Sequence, residues 1–275
     1  MAHRIQKTIC LLLLLALCLC GRAGKVTLQP IVRIDPPPIV DGETCVYEIT
    51  NKNNIPVAIR RVITTRVQYA ELPAFQVTTL EQETKDSPPI ESTVVYISRE
   101  DLTPIASFKF SRPPKPLITT AAIYQEAFAE IVSITKEGEF KRRIPIGPNT
   151  FDVNQLTMLG RALRFAQSKP YNILIVVPTT TPPGGMSLAG KVSPSNIDTI
   201  TTPAGTFECY KLLIEADSTK QQLWFEKIGA RRLIQLIDGK TGETVRLISS
   251  SIPQTPVKIG ATTTIGSHKI SNETK

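Results

Sequence analysis

The sequence predicts a mostly β fold: a single large, strongly curved antiparallel sheet or half-barrel with one helix, about residues 152–167, packed against it. Three observations carry this. Runs rich in Val, Ile, Thr, Tyr and Phe recur along the chain and are separated by Pro, Gly and Asn turn signals. One segment combines a helix start signal, an apolar stripe at helical spacing and a proline stop. With 275 residues and 41% hydrophobic content, the chain has enough apolar material for a packed core.

The first stretch is set apart from that core. Arg4 and Lys7 precede a Leu-rich run from Ile9 to Cys20, and Gly21-Arg22-Ala23-Gly24 offers small residues for cleavage, so residues 1–23 read as a secretory signal peptide. The apolar run is nearer a dozen residues than the roughly 20 of a membrane-spanning helix. A lipid anchor on Cys18 or Cys20 is the competing reading, but each follows a leucine where a lipid-modified cysteine normally follows a small residue. Removing Arg4, Lys7 and Arg22 leaves 32 − 3 = 29 basic against 24 acidic residues, so the net charge falls from +8 to +5. That surplus is small, and its densest spots, Lys141-Arg142-Arg143 and Arg231-Arg232, lack the interleaved aromatics of a nucleic-acid surface. A solvated strand edge accounts for them.

Residues 24–38 alternate apolar positions up to Pro36-Pro-Pro38 and read as an extended N-terminal arm. A single β-rich domain then spans residues 39–251. In Asp41 to Thr50, Cys45, Tyr47 and Ile49 share a face, and Asn51 to Asn54 turns the chain into a strand from Ile55 to Tyr69. Thr84 to Pro89 is a loop; Thr93 to Ser98 and Ile105 to Phe110 are strands. Residues 121–135 mix helix-favouring and strand-favouring signals, and Glu137-Gly138 before Phe140 to Ile146 favours a hairpin. Asp152 caps the helix with Gln155 reaching back, Leu156, Leu159, Leu163 and Ala166 form its apolar stripe, and Lys169-Pro170 ends it. Arg161 and Arg164 fall with Thr157 on another side, expected to be solvated. Tyr171 to Val177 is a strand and Pro178 to Gly190 a long loop. Further strands follow at Ile197 to Thr201, Phe207 to Ile214, Gln222 to Ile228, Arg231 to Ile237 and Glu243 to Ser249, and residues 252–275 read as a disordered polar tail.

The sharpest local signal is Thr202-Pro203-Ala204-Gly205-Thr206-Phe207. Pro203 fixes one backbone angle and Gly205 accepts a positive φ, so the chain reverses there before the strand that carries Cys209. Cys45 and Cys209 are the two cysteines outside the leader. In an oxidising compartment they invite a disulfide, and the alternative is two separately buried thiols.

The residue inventory excludes several chemistries. His3 lies in the leader and His268 in the tail, so the domain has no histidine for a Ser-His-Asp triad, a Cys-His pair or a histidine-ligated zinc. Gly185 to Lys191 matches G-x-x-x-x-G-K, but Val192 replaces the magnesium-holding hydroxyl and Ser193-Pro194 cannot open the required helix, so neither a nucleotide nor another cofactor is expected. Ser133-Ile-Thr-Lys136 has penicillin-enzyme spacing on a strand rather than at a helix start. Glu81, Glu83, Asp86 and Glu91 could supply a carboxylate pair for glycoside cleavage. Trp224 and Phe225 read as core.

Asp41-Gly-Glu43 with Tyr47, Val95-Tyr-Ile-Ser98 with Asp101-Leu-Thr-Pro104, residues 152–163 and above all Thr202 to Tyr210 resemble the exported bacterial family classed as domain of unknown function three-one-zero-eight, over roughly residues 40–250. The resemblance implies a single antiparallel β domain in the bacterial envelope and brings no catalytic residues with it. The reading is a non-enzymatic exported protein, periplasmic or envelope-associated, that binds a lipid or other hydrophobic ligand or serves as a scaffold for an envelope protein. The runner-up is a carboxylate-based hydrolase acting on envelope polysaccharide.

Overall fold

The computed structural model describes residues 34, 38–165 and 169–252. The leader, most of the N-terminal arm, Ala166 and Gln167 of the expected helix, and the tail from residue 253 lie outside the described residues.

Fifteen strands form one sheet in the order β8-β7-β6-β5-β4-β3-β2-β1-β15-β14-β13-β12-β11-β10-β9. The first half is a meander of hairpins: β1 (Glu43–Thr50), β2 (Pro56–Tyr69), β3 (Leu72–Gln82), β4 (Glu91–Ser98), β5 (Pro104–Ser111), β6 (Ile118–Tyr124), β7 (Phe128–Thr135) and β8 (Gly138–Pro145). The chain then crosses to the other end of the sheet through β9 (Thr150–Asp152), which runs parallel to β10 (Tyr171–Val177). A second meander returns through β11 (Met186–Thr202), β12 (Gly205–Ala216), β13 (Thr219–Glu226), β14 (Leu233–Asp238) and β15 (Thr244–Ser251), and β15 pairs antiparallel with β1. The mostly β, strongly curved sheet is as the sequence predicts.

The sheet curls until its two ends meet, without a ladder between β8 and β9 among the described residues. Side chains close the gap instead. Tyr124 Oη donates to Asp152 Oδ2 at 2.6 Å, Arg142 Nη1 donates to the Gly185 carbonyl at 3.0 Å, and Ile131 packs with Val176. Lys141, Arg142 and Arg143 lie on β8, the terminal strand, which is the charged edge the sequence predicts; such edges resist further strand pairing.

The helix sits inside this curl. It is shorter than expected: a 3₁₀ turn (Val153–Gln155) leads into α1 (Leu156–Ala162), and Leu163 is already extended. Asp152 is the cap, its Oδ1 accepting from the Asn154 amide at 2.7 Å. Gln155 does not reach back to complete a capping box. It is fully buried, and its Nε2 donates to the carbonyl of Leu102 at 2.8 Å, tying the helix to the β4–β5 turn. Leu156, Leu159 and Leu163 pack on Phe225 and Leu212 on one side, while Met158 and Ala162 pack on Ile97 and Leu102 on the other. Residues on both sides of α1 are therefore buried, so its polar positions face protein too. Gly160 allows this depth, because a Cβ there would stand 2.2 Å from Cζ of Phe225.

One loop is shorter than expected, and one strand is additional. Residues 186–190 belong to β11, whose 17 residues absorb the expected strand at Ile197 to Thr201 and shorten the loop after β10. Leu72–Gln82, not delimited from the sequence, is the eleven-residue strand β3.

Candidate functional site

The concave face near β1 is set by register. On β1, Glu43, Cys45 and Tyr47 point inward opposite Thr64, Val62 and Arg60 of β2. One strand further, Thr79 stands opposite Val62 and Glu81 opposite Arg60; beyond them come Thr93 and Glu91 on β4. The facing wall, from β13 to β15, is mostly apolar, with Leu223, Leu233, Leu236 and Val245 beside the amide of Gln221. Between the walls lies a cavity of about 200 Å³, floored by Asn154, Thr157, Met158 and Arg161 of the helical segment. Of the helix side expected to face solvent, Arg164 is exposed, while Thr157 and Arg161 face this cavity.

Arg161 corrects that expectation most clearly. Its side chain is 7% exposed and its Nη2 lies 2.9 Å from Oε2 of Glu43, itself 2% exposed. The same Nη2 donates to the Ala230 carbonyl at 2.7 Å, while Nε is buried and has no hydrogen-bond partner among the described residues. Cys45 Sγ lies 3.5 Å from Glu43 Oε1, and burial together with the Glu43 charge pushes its thiol up to about 11. Burial also raises the Tyr47 hydroxyl well above its ordinary value.

At one end the cavity shares Arg60 and Glu91 with an outer groove. An ionic network spans this mouth: Arg60 to Glu81 at 2.9 Å, Lys115 to Glu81 at 2.7 Å, Lys115 to Glu91 at 2.9 Å and Lys109 to Glu91 at 3.0 Å. Burial raises the Glu81 carboxyl, but the Arg60 guanidinium and the Lys115 ammonium more than reverse this and leave it below its usual range. The structure thus brings together two of the four acids considered for glycoside cleavage, since Glu81 and Glu91 are cross-strand partners, while Glu83 and Asp86 are exposed. Glu81 and Glu91 are bridged by one lysine and each also meets a second cation. Glycoside cleavage needs one carboxyl to hold a proton, and the cations beside Glu81 favour its anion.

The other candidate motifs serve the fold. Thr202 to Phe207 is the β11–β12 hairpin tip, where Thr202 pairs with Gly205, Gly205 has φ +134°, and Thr202 Oγ1 accepts from the Ala204 amide at 3.2 Å. Thr206 meets Thr201 at 3.0 Å across the ladder, and Phe207 packs on the core. Cys45 and Cys209 are both free thiols, so the disulfide is not formed. They lie on β1 and β12, with β15, β14 and β13 between them in the sheet, too far around for a bond that needs Cα atoms within about 7 Å. Gly185 to Lys191 runs into β11, and Ser133 is buried on β7 beside Thr120, so neither forms the motif that its spacing suggests. Trp224 is core, with Nε1 donating to Asp198 at 2.8 Å. Among the described residues no group of three His, Cys, Asp or Glu side chains could hold a metal ion, and no helix is long and apolar enough to cross a membrane.

Neither the family models nor the curated proteins give a match to this chain. Solved structures do. A beta-barrel-like protein of the domain of unknown function DUF1849 from Brucella abortus has a TM-score of 0.47 and 10% identity, over 81% of this chain and 100% of that one. A protein from Bacteroides fragilis described as exported, with a YmcC-like fold, has a TM-score of 0.35 and 9% identity over 80% and 99%. A Parabacteroides distasonis protein described as a lipoprotein has a TM-score of 0.34 and 13% identity over 80% and 99%.

Proposed function

We propose that this is a non-enzymatic exported protein of the bacterial envelope that holds a small hydrophobic ligand between its helix and its sheet, and that it belongs with the exported family its Thr202 to Phe207 run resembles. The cavity carries the ligand reading. A barrel-like sheet of this size could bury its helix against a filled interior, yet beside α1 there is a space of about 200 Å³ with one mostly apolar wall. A cavity of about 150 Å³ lined by apolar side chains is large enough to take benzene, so this one suits a compact chain of about six to eight carbons. The leader-like residues 1–23 support export, and the cation-paired state of Glu81 and Glu91 speaks against the hydrolase.

Native mass spectrometry of protein extracted gently from the envelope tests this. The expected result is a reproducible adduct of small hydrophobic mass that is lost in a Val62→Phe variant, whose larger ring fills the space. A bare protein mass under those conditions overturns ligand carriage and leaves the scaffold role.

A further inference from the structure

Two sets of ion pairs border the cavity, and they differ in their access to water. The Glu43–Arg161 pair at the floor has side-chain exposures of 2% and 7%. In the mouth set of Arg60, Glu81, Glu91, Lys109 and Lys115 the exposures run from 11% to 32%. Salt screens exposed charges and hardly reaches buried ones, so the outer set can be loosened while the inner pair holds.

The mouth set stands across the way in. The cavity and the outer groove, a space of about 470 Å³, have Arg60 and Glu91 in common. These two are joined through Glu81 and Lys115: Arg60 and Lys115 both hold Glu81, and Lys115 also holds Glu91. Lys115 is the member that does not belong to the sheet. It is carried by the β5–β6 loop, residues 112–117, which is fastened at its start by the Arg112 amide donating to the Ile90 carbonyl at 3.0 Å and near its end by Ser111 Oγ donating to the Pro116 carbonyl at 2.6 Å. Pro113, Pro114 and Pro116 leave this loop little backbone freedom, so the moving part is the ammonium on its flexible four-carbon stem. Glu83 and Glu243 are exposed and line the same groove, so an ammonium released from Glu81 and Glu91 still has carboxylates on the groove wall. We propose that Lys115 latches the neck between groove and cavity, holding Glu81 and Glu91 together so that a small hydrophobic molecule passes only while the ammonium is swung out. The latch presupposes that the cavity is a ligand site.

The rate of iodoacetamide labelling of Cys45 at about pH 8 reads the opening of the neck, since Cys45 lines the cavity, while Cys209, which does not, reports loosening elsewhere. Wild type, Lys115→Arg and Lys115→Met are compared at about 0.1 M and about 1 M NaCl, between which the Debye length falls from about 10 Å to about 3 Å. Lys115→Met keeps an unbranched stem and removes the charge; Lys115→Arg keeps the charge. At the lower salt Cys45 should label about tenfold faster in Lys115→Met than in the wild type, with Cys209 unchanged and Lys115→Arg close to the wild type. The higher salt should accelerate Cys45 in the wild type and have much less effect in Lys115→Met. A Lys115→Met rate equal to that of the wild type, a wild-type rate indifferent to salt, or an equal acceleration of Cys209 would each overturn the latch. Repeating the reaction with saturating hexanol separates the latch from the cavity. Hexanol should protect Cys45 in the wild type and in Lys115→Met; if it protects neither, the ligand reading falls, whereas protection in both with equal labelling rates removes the latch alone.

Discussion

Glu43 and Arg161 are 118 residues apart in sequence and meet at 2.9 Å in the interior, with side-chain exposures of 2% and 7%. The pair joins the first strand of the domain to the helix, linking the two meanders through the segment that connects them. Removing one partner strands the other charge in a low-dielectric site, a loss of about 3–5 kcal/mol, whereas replacing both with apolar side chains of similar volume is often close to neutral. Glu43→Met and Arg161→Met should therefore each lower the unfolding free energy by that amount, with the Glu43→Met/Arg161→Met double variant milder than either. Urea unfolding of the four proteins, read as a double-mutant cycle, checks it; additive losses would show that the pair is not coupled.

Gly160 and Phe225 make a second contact that fixes the depth of the helix. In an isolated helix Gly→Ala gains about 1 kcal/mol. Here the added methyl would sit 2.2 Å from Cζ of a ring that is fully buried, and overpacking of this kind costs about 1–3 kcal/mol or more. The clash wins, so Gly160→Ala should lower the thermal midpoint. Gly160→Ala/Phe225→Leu should recover part of the loss, since the smaller side chain vacates that space. A stabilised single variant would mean that the helix can lift away from β13.

Much of the sheet was legible because alternation is a local property. Cys45, Tyr47 and Ile49 share a buried face as their spacing requires, and Tyr171–Val177 is a strand with the predicted bounds. β3 escaped because its turn does not look like one. Ala70 and Glu71 take φ of 48° and 66°, the left-handed pair that a two-residue hairpin requires, at residues where Asn-Gly would have announced it. The site was hidden for a different reason. Asn154, Thr157 and Arg161 form a polar helical stripe, which on a surface helix faces water; only the curl of distant strands turns that stripe inward. Likewise the inward positions of β3 and β4 carry Thr79, Glu81, Glu91 and Thr93, so polarity and exposure part company on that half of the sheet.

The mouth network gives a pH signature. The Glu81 carboxyl is held below its ordinary 4.5, so its contribution to stability is fully present above 4.5 and is lost as pH falls from there through the folded-state value. Lys115 is displaced the other way: burial lowers it, but hydrogen bonds to Glu81 and Glu91 carry it above 10.5, so its contribution holds below 10.5 and disappears above it. Buried Asp152, raised above 3.8, acts against Glu81 in the acid range, because its contribution falls as pH rises. Subtracting the urea midpoints of Glu81→Gln from those of the wild type cancels the Asp152 part. The difference should be flat through neutral pH and shrink below pH 4.5. A difference independent of pH across that range would remove Glu81 as the titrating group.

The two thiols should be inert in the folded protein for a reason that can be separated from simple inaccessibility. Burial and then the Glu43 carboxylate push Cys45 up to about 11, and burial followed by Glu226 and Asp198 pushes Cys209 up to about 12, both from 9.0. The thiolate is the reactive form, so even a reagent small enough to enter finds little of it at pH 8. Cys45 lines the cavity and Cys209 does not. Iodoacetamide labelling at pH 8 should therefore be slow at both sites and become fast at both in denaturant. Neutralising the nearby charge in Glu43→Gln should accelerate Cys45 alone, and occupancy of the cavity by hexanol should slow it again. Equal acceleration of Cys209 would point to general loosening of the fold, and failure of the cysteines to label in non-reducing denaturant would mean that they are oxidised.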